Sequence, residues 1–251
     1  MTPLFEARRI GSVNIFEIRG AFAQPWVPRL KAQMTRSLQK NSAPALLLNV
    51  KDVEKMDEPG VMTVLKFLRE RNKGAILGRN LPAYFIAEHM NPNESIPIFE
   101  SGREAVEYFG REFVRGNQAM ARERRRLARV KTALPVEFEI SHLGSSFIFE
   151  AVVTNLSEGG LFAFFLEGTS EELARRMLDP FDLKMIKIRL ALDRNNRLEM
   201  EGKILRSGTD FSIRQGLAVA FYNVRPEDQA RLHGFIEEPK STNDPKARRK
   251  K

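Results

Sequence analysis

Two short stretches carry the side chains with the most chemistry to offer. Arg122-Glu123-Arg124-Arg125-Arg126-Leu127-Ala128-Arg129 packs five guanidinium groups into eight residues. Asn155-Leu156-Ser157-Glu158-Gly159-Gly160 sets an amide, a hydroxyl and two glycines in a polar turn between apolar runs. A guanidinium donates bidentately to phosphate or to the O6/N7 edge of guanine, and its flat face stacks on a base. Asparagine and serine can read a base edge, and glycine lets a backbone come close. Together these parts suit a ligand that is both anionic and planar.

Each stretch also has an ordinary explanation. Any basic helix face yields R-x-x-x-R spacing, and both Arg122/Arg126 and Arg125/Arg129 have it. Asn, Ser and Gly are turn residues wherever a hairpin must close. What separates the ligand reading from these is the order of the two stretches and the strands around them.

Charge is local. Residues 111–131 hold eight basic side chains against Glu112 and Glu123, and the tail 240–251 holds six against Asp244. They contribute +6 and +5 to a formal net charge of +9, so the remainder is slightly acidic. That distribution fits a site plus a tail, and not a broad nucleic-acid-binding face. Cysteine is absent, which excludes disulfides and thiolate metal sites. No apolar run approaches the ~18–20 residues of a membrane span, and no basic-then-apolar leader opens the chain, so a cytoplasmic protein is expected. His89, His142 and His233 lack the short spacings of a metal site. There is no phosphate-cradling G-x-x-x-x-G-K-[S/T] and no G-x-S-x-G elbow. Glu171-Glu172 reads as helix-start acids. A sensor is expected, not an enzyme, with no cofactor and no metal.

The elements that must position these residues fall into two sets. Val13–Gly20 reads as a strand, residues 26–40 as a helix with Trp26, Val27, Leu30, Met34 and Leu38 at helical spacing, and Ala45–Val50 as a central strand buried on both faces. After Asp57-Glu58-Pro59-Gly60 the chain turns helical over Val61–Leu68, with an acidic start and an early proline. A βαβα order with a parallel sheet follows. Residues 102–128 read as a helix leaving this unit, with a break at Gly116-Asn117. From Pro135 the period becomes two: Val136, Phe138 and Ile140 alternate with Glu137 and Glu139, and His142-Leu143-Gly144 supplies a turn. Phe147–Val153, Leu161–Phe165, Ile186–Leu192, Arg197–Leu205 and Gly216–Phe221 are further strands. Residues 170–178 read as a short helix, Pro226–Glu237 as a closing helix, and the tail from Pro239 as disordered.

The second set resembles the PilZ family. That family carries R-x-x-x-R ahead of a small β-barrel and [D/N]-x-S-x-x-G at the end of an early strand. Arg125 and Arg129 fill the first motif, at the family's distance from Leu134-Pro135-Val136, and Asn155, Ser157 and Gly160 fill the second. The late strand Gly216-x-x-Val219-x-Phe221 fits as well. The resemblance spans about residues 122–238 and implies cyclic di-GMP as ligand. The arginines would meet phosphate and a guanine Hoogsteen edge, Asn155 and Ser157 a guanine, and Arg124 and Arg126 would lie beside them.

The first set, roughly residues 8–110, is similar to STAS domains. The similarity rests on the early strand ending at Gly20, the run Leu46–Val50, Met56-Asp57-x-x-Gly60-Val61 before a helix, and Ile98-Phe99-Glu100-Ser101-x-x-x-Ala105-Val106. Phosphorylated STAS domains carry D-S-[S/T]-G. Here Glu58 and Pro59 follow the aspartate, and neither accepts a phosphoryl group. That leaves a fixed acidic mimic or a domain that only binds a protein partner.

The expected architecture is therefore an α/β STAS-like domain with a mixed sheet (1–110), a basic linker (111–134), an all-β PilZ barrel with a C-terminal helix (135–238) and a basic tail (239–251). The expected function is a cyclic di-GMP effector in which ligand reorients the barrel against the STAS-like domain. A PilZ adaptor that binds no nucleotide and acts through protein contacts is the alternative.

Overall fold

The computed structural model describes residues 3–40, 45–71, 73–78, 96–115, 129–167, 185–205 and 216–237. The expectations for a helix at 170–178, a break at Gly116-Asn117 and a disordered tail lie outside these residues.

The chain opens with strands β1 (Leu4–Ile10) and β2 (Val13–Phe22), then helix α1 (Val27–Lys40) and strand β3 (Ala45–Met56). Helix α2 (Glu58–Arg69), β4 (Lys73–Leu77), β5 (Ile98–Phe99) and helix α3 (Gly102–Phe109) follow. The sheet order is β1-β2-β3-β4-β5, antiparallel at β1/β2 and parallel elsewhere. This is the mixed α/β sheet that the sequence implied. The strand β1 was not foreseen, because its apolar residues Leu4, Phe5, Ala7 and Ile10 do not alternate.

Asp57 starts α2: its Oδ1 accepts from the Gly60 amide (3.0 Å) and its Oδ2 from the Gln24 amide (2.8 Å). Two orphan-prone groups are thus satisfied by one carboxylate. Ser101 and Glu104 form a reciprocal capping box that opens α3. The helix does not run on toward the arginines. Gly110, at φ +49°, stops it, and a 3₁₀ turn over Gly110–Phe113 folds back against β1–β2. There the Glu112 carbonyl accepts from the Ser12 amide at 2.8 Å.

Six antiparallel strands then close a barrel in the order β10-β11-β8-β7-β6-β9. They are β6 (Val130–His142), β7 (Ser145–Ser157), β8 (Gly160–Phe165), β9 (Met185–Ala191), β10 (Arg197–Leu205) and β11 (Leu217–Tyr222). Helix α4 (Pro226–Glu237) packs Leu232 and Ile236 into the barrel core. β6 begins five residues before Pro135. The proline is accommodated because β6 meets β9 only from Val136 onward, which leaves no ladder bond there for the missing N–H.

Three cores hold the molecule. One fills the barrel and one lies between the first sheet and α1/α2. The third joins the two halves. Ile10, Val13, Ile15, Ala45, Leu47, Ala75 and Leu77 on the other sheet face meet α3, Phe113, and Val152 and Leu166 from the outside of the barrel. Val152 is 0% exposed and Leu166 1%. Beside this apolar contact the Lys51 ammonium donates to Glu150 Oε2 (2.7 Å) and Glu167 Oε1 (2.8 Å), and the Gly102 amide donates to Glu150 Oε2 (3.0 Å). Burial alone would pull the Lys51 ammonium down, but Glu167 and Glu150 more than offset it and hold its pKa above the ordinary value.

Because Leu166 belongs to this shared core, Leu166→Ala should destabilise both halves together. Burial of this kind predicts a loss of about 2–5 kcal/mol in denaturant unfolding, with the two halves still melting in one transition. A loss confined to a separate barrel transition would show that the halves do not share this core.

Candidate functional site at the barrel mouth

The site is built at one end of the β6–β7–β8 sheet. Val130 pairs with Leu156 and Lys131 with Asn155, so Arg129 enters the barrel directly beside the Asn155–Ser157 segment. The second motif closes the β7–β8 hairpin, where Ser157 pairs with Gly160 across the two-residue turn Glu158-Gly159. Both strands are irregular here. β6 carries an extra residue between Lys131 and Leu134, and β7 one between Val153 and Asn155. Bulges re-aim side chains at barrel rims. Here they interrupt the two-residue alternation on both strands, just as these enter the site.

Each sequence-derived residue can now be placed. Arg129 is exposed at the mouth. Asn155 is half-buried beside it, and no side-chain hydrogen bond joins it to another described residue. Ser157 is 6% exposed, and its hydroxyl donates to the Gly160 carbonyl at 3.0 Å, so it first serves the turn and retains lone pairs as acceptors. Gly160 pairs with Ala220 on β11, and a Cβ there would stand 2.3 Å from the Val219 carbonyl oxygen. The glycine is thus required by strand approach within the barrel, a reason distinct from the open turn the sequence suggested. Arg122, Arg124, Arg125 and Arg126 lie outside the described residues.

One partner of the site was not legible in sequence. Nδ1 of His233, on α4, lies 2.6 Å from Oε1 of Glu158 in the motif turn. The closing helix is thereby tied to the site across 75 positions of chain. The hydrogen bond that Glu158 accepts and its charge raise the His233 pKa above its ordinary value, with Glu237 adding to the effect. Lys51, Glu150 and Glu167 were also missed. The signal for their contact was present in Ala151-Val152-Val153, where consecutive apolar residues break the alternation and call for cover on both faces.

Among the described residues no group of His, Cys, Asp and Glu could hold a metal ion. No described helix is long and apolar enough to cross a membrane. A cleft lined by Arg103, Pro135, Glu137, Glu150, Arg189 and Arg197 lies on the outer wall of the barrel, away from the mouth. Within it Arg189 pairs with Glu137 (3.7 Å), while Arg103 pairs with Glu107 (2.9 Å) and Glu150 with Lys51 (2.7 Å).

The sequence profile of the PilZ domain matches residues 123–238. No curated protein matches the chain. Among solved structures the chain is similar to the inhibitor of motility MotI/DgrA from Bacillus subtilis. That match has 16% identity and a TM-score of 0.34, and covers 46% of this chain and half (50%) of that one. It is also similar to an anti-sigma factor antagonist from Mycobacterium paratuberculosis (13% identity, TM-score 0.37, 42% of this chain and 92% of that one). A third is the PilZ domain of YcgR from Escherichia coli, solved with c-di-GMP (20% identity, TM-score 0.32, 45% and 89%). Residues 123–238 therefore match the PilZ domain, behind an α/β domain with a mixed five-stranded sheet.

The His233–Glu158 pair predicts a pH dependence. A histidine whose folded pKa is raised contributes stability that is full below its unfolded value of about 6.5 and is lost as pH rises through the folded value. The melting temperature of the wild type should therefore fall between mildly acidic pH and pH 8 more steeply than that of Glu158→Gln. Parallel profiles for the two proteins would exclude the pair as a contributor.

Proposed function

We propose that this protein is a cytoplasmic cyclic di-GMP effector, and that Arg125, Arg129, Asn155, Ser157 and Gly160 form its ligand site, with Arg124 and Arg126 beside them. The observation that carries this reading is the placement of Arg129 next to the Asn155–Ser157 segment through the Val130/Leu156 and Lys131/Asn155 pairs. Arg129, the last residue of the first motif, thereby stands beside the second at one barrel end. The PilZ match over the same residues, and the c-di-GMP held by the YcgR domain, support the same ligand. Guanidinium groups would take the phosphodiesters and a guanine Hoogsteen edge, and the Asn155 amide a base edge.

The division into residues 1–110, a connector of 111–134, a barrel of 135–238 and a tail of 239–251 gives this ligand something to act on. Phe113 is buried in the core shared by the two halves, and Arg129 stands at the mouth. The connector between them holds the arginines. Capture of two phosphate charges relieves their mutual repulsion and draws the connector over the mouth. We infer that this shifts the orientation of the barrel against the STAS-like domain, which presents itself to a protein partner. A ligand shifts such an equilibrium only by its differential affinity for the two states. The differential contacts here are Arg125 and Arg129.

Calorimetric titration with cyclic di-GMP, against linear and mononucleotide controls, tests the site. Arg125→Ala and Arg129→Ala should each remove charge-assisted bonds worth about 1.5–3 kcal/mol and weaken binding roughly ten- to a hundredfold, with the fold intact. Unchanged affinity in the double variant would reject the assignment. No binding by the wild type would favour a PilZ adaptor acting through protein contacts.

Ligand should also slow hydrogen exchange over residues 116–131 and change the distance between probes placed on the two halves. Tight binding with neither change would leave the ligand reading standing and reject the reorientation.

A further inference from the structure

One face of the STAS-like sheet is closed by α3 and the barrel, so a partner of this domain must meet other surfaces, chiefly the helical layer of α1 and α2. We propose that the outward face of α1 docks an acidic protein segment, with Arg29 and Arg36 as its cationic contacts. The proposal rests on reading the STAS-like domain as the partner-binding module and adds the chemistry of that partner.

α1 carries Arg29, Lys31, Arg36 and Lys40 and not one acid in fourteen residues. Arg29 and Arg36 are exposed, and neither side chain makes a hydrogen bond or ion pair with another described residue. The core side of the helix is Val27, Leu30, Met34 and Leu38. At about 100° and 1.5 Å per residue, Arg29 and Arg36 project within about 20° of each other and about 10 Å apart, on the side away from that core. Lys31 lies roughly 140–160° round the helix from them and does not share this face, while Lys66 of α2 is exposed on the same helical layer.

The placement runs against the electrostatics of the helix itself. Arg29 lies in the first turn, where the positive pole of the dipole disfavours a cation and favours Asp or Glu, and that turn holds no acid. Lys66 and Arg69 sit in the last turn of α2, where the dipole welcomes them, so helix stability accounts for both. It does not account for Arg29. A negative partner does.

The same face argues for the class of partner. The outward residues between the cations are Ala32, Gln33 and Thr35, so α1 has no bulky apolar rim to sink into a bilayer. Two arginines on one helix face also fall short of the extended basic track that a duplex requires. An acidic helix or strand, whose carboxylates repeat at a similar spacing, fits the stripe.

The test uses the full chain and a labelled helical peptide rich in Glu and Ala, read by fluorescence anisotropy at low and moderate salt. Phosphatidylserine vesicles and a short DNA duplex serve as competing arms. Saturable peptide binding is expected, weakened at least tenfold by the Arg29→Glu/Arg36→Glu double substitution and unchanged by Arg129→Ala. Thermal unfolding of Arg29→Glu should be at or above wild type, since the first turn favours an acid. A stability loss there would point to a structural role and overturn the proposal. So would peptide affinity that ignores the double substitution, absence of peptide binding, or tighter binding to vesicles or duplex. The double variant should titrate normally with cyclic di-GMP. Charge-dependent peptide binding by a wild type that fails to take cyclic di-GMP would keep the docking surface while removing the ligand reading.

Discussion

A sheet with two apolar faces has to be covered twice, and among the described residues the crossover connections of the first sheet supply one cover. Helices α1 and α2 bury Phe16, Ile18, Leu46, Leu48 and Ile76 on one side. On the other side Val13, Ile15, Leu47 and Leu77 are apolar as well, and α3 with its 3₁₀ turn is too short to shield them alone. The wall of the barrel completes that layer through Val152 and Leu166. Hydrophobic burial thus fixes how the halves sit before any ligand is considered. The Lys51–Glu150–Glu167 contact adds a polar constraint to it, with a single ammonium reaching both carboxylates.

This shared core bears on how the mouth can communicate. A domain pair joined by a bare linker would respond to small forces. Here any change of orientation has to disturb Phe113, Val152 and Leu166, which are almost completely buried. Packed interfaces of this kind are bistable and do not deform continuously. On the reading proposed above, a ligand acting on the connector would work against a threshold set by this packing.

Much of this was legible in the residues. The strand–helix order, the closed barrel, the closing helix and the two motifs follow from period, turn chemistry and family resemblance. What could not be read were the long-range pairings. The stop at Gly110 escaped because a glycine in a charged, helix-like run weakly marks a break, whereas the structure shows a positive φ that ends α3 outright. The start of β6 at Val130 escaped because Pro135 looked like a boundary; it is tolerated only because of where β9 joins. Glu158 and His233 carry no local sign of each other. Val152 is the instructive case, since its run of three apolar residues asked for a second cover that the barrel alone does not provide.

The motif glycine shows how one residue can serve fold and site together. Gly160 lets β11 pass close to β8, with Ala220 directly opposite and the Phe221 amide bonded to the Gly159 carbonyl at 3.0 Å. That contact closes the barrel beside the very turn that carries Asn155 and Ser157. Adding even one methyl at Gly160 would push β8 from β11 and move the turn, so binding and stability would fall together. Asn155 differs: its side chain is not needed by any described neighbour, and its loss would leave the ladder with Lys131 and Phe162 in place. Within the second motif Ser157 and Gly160 therefore serve the framework, and on the proposed reading Asn155 serves recognition.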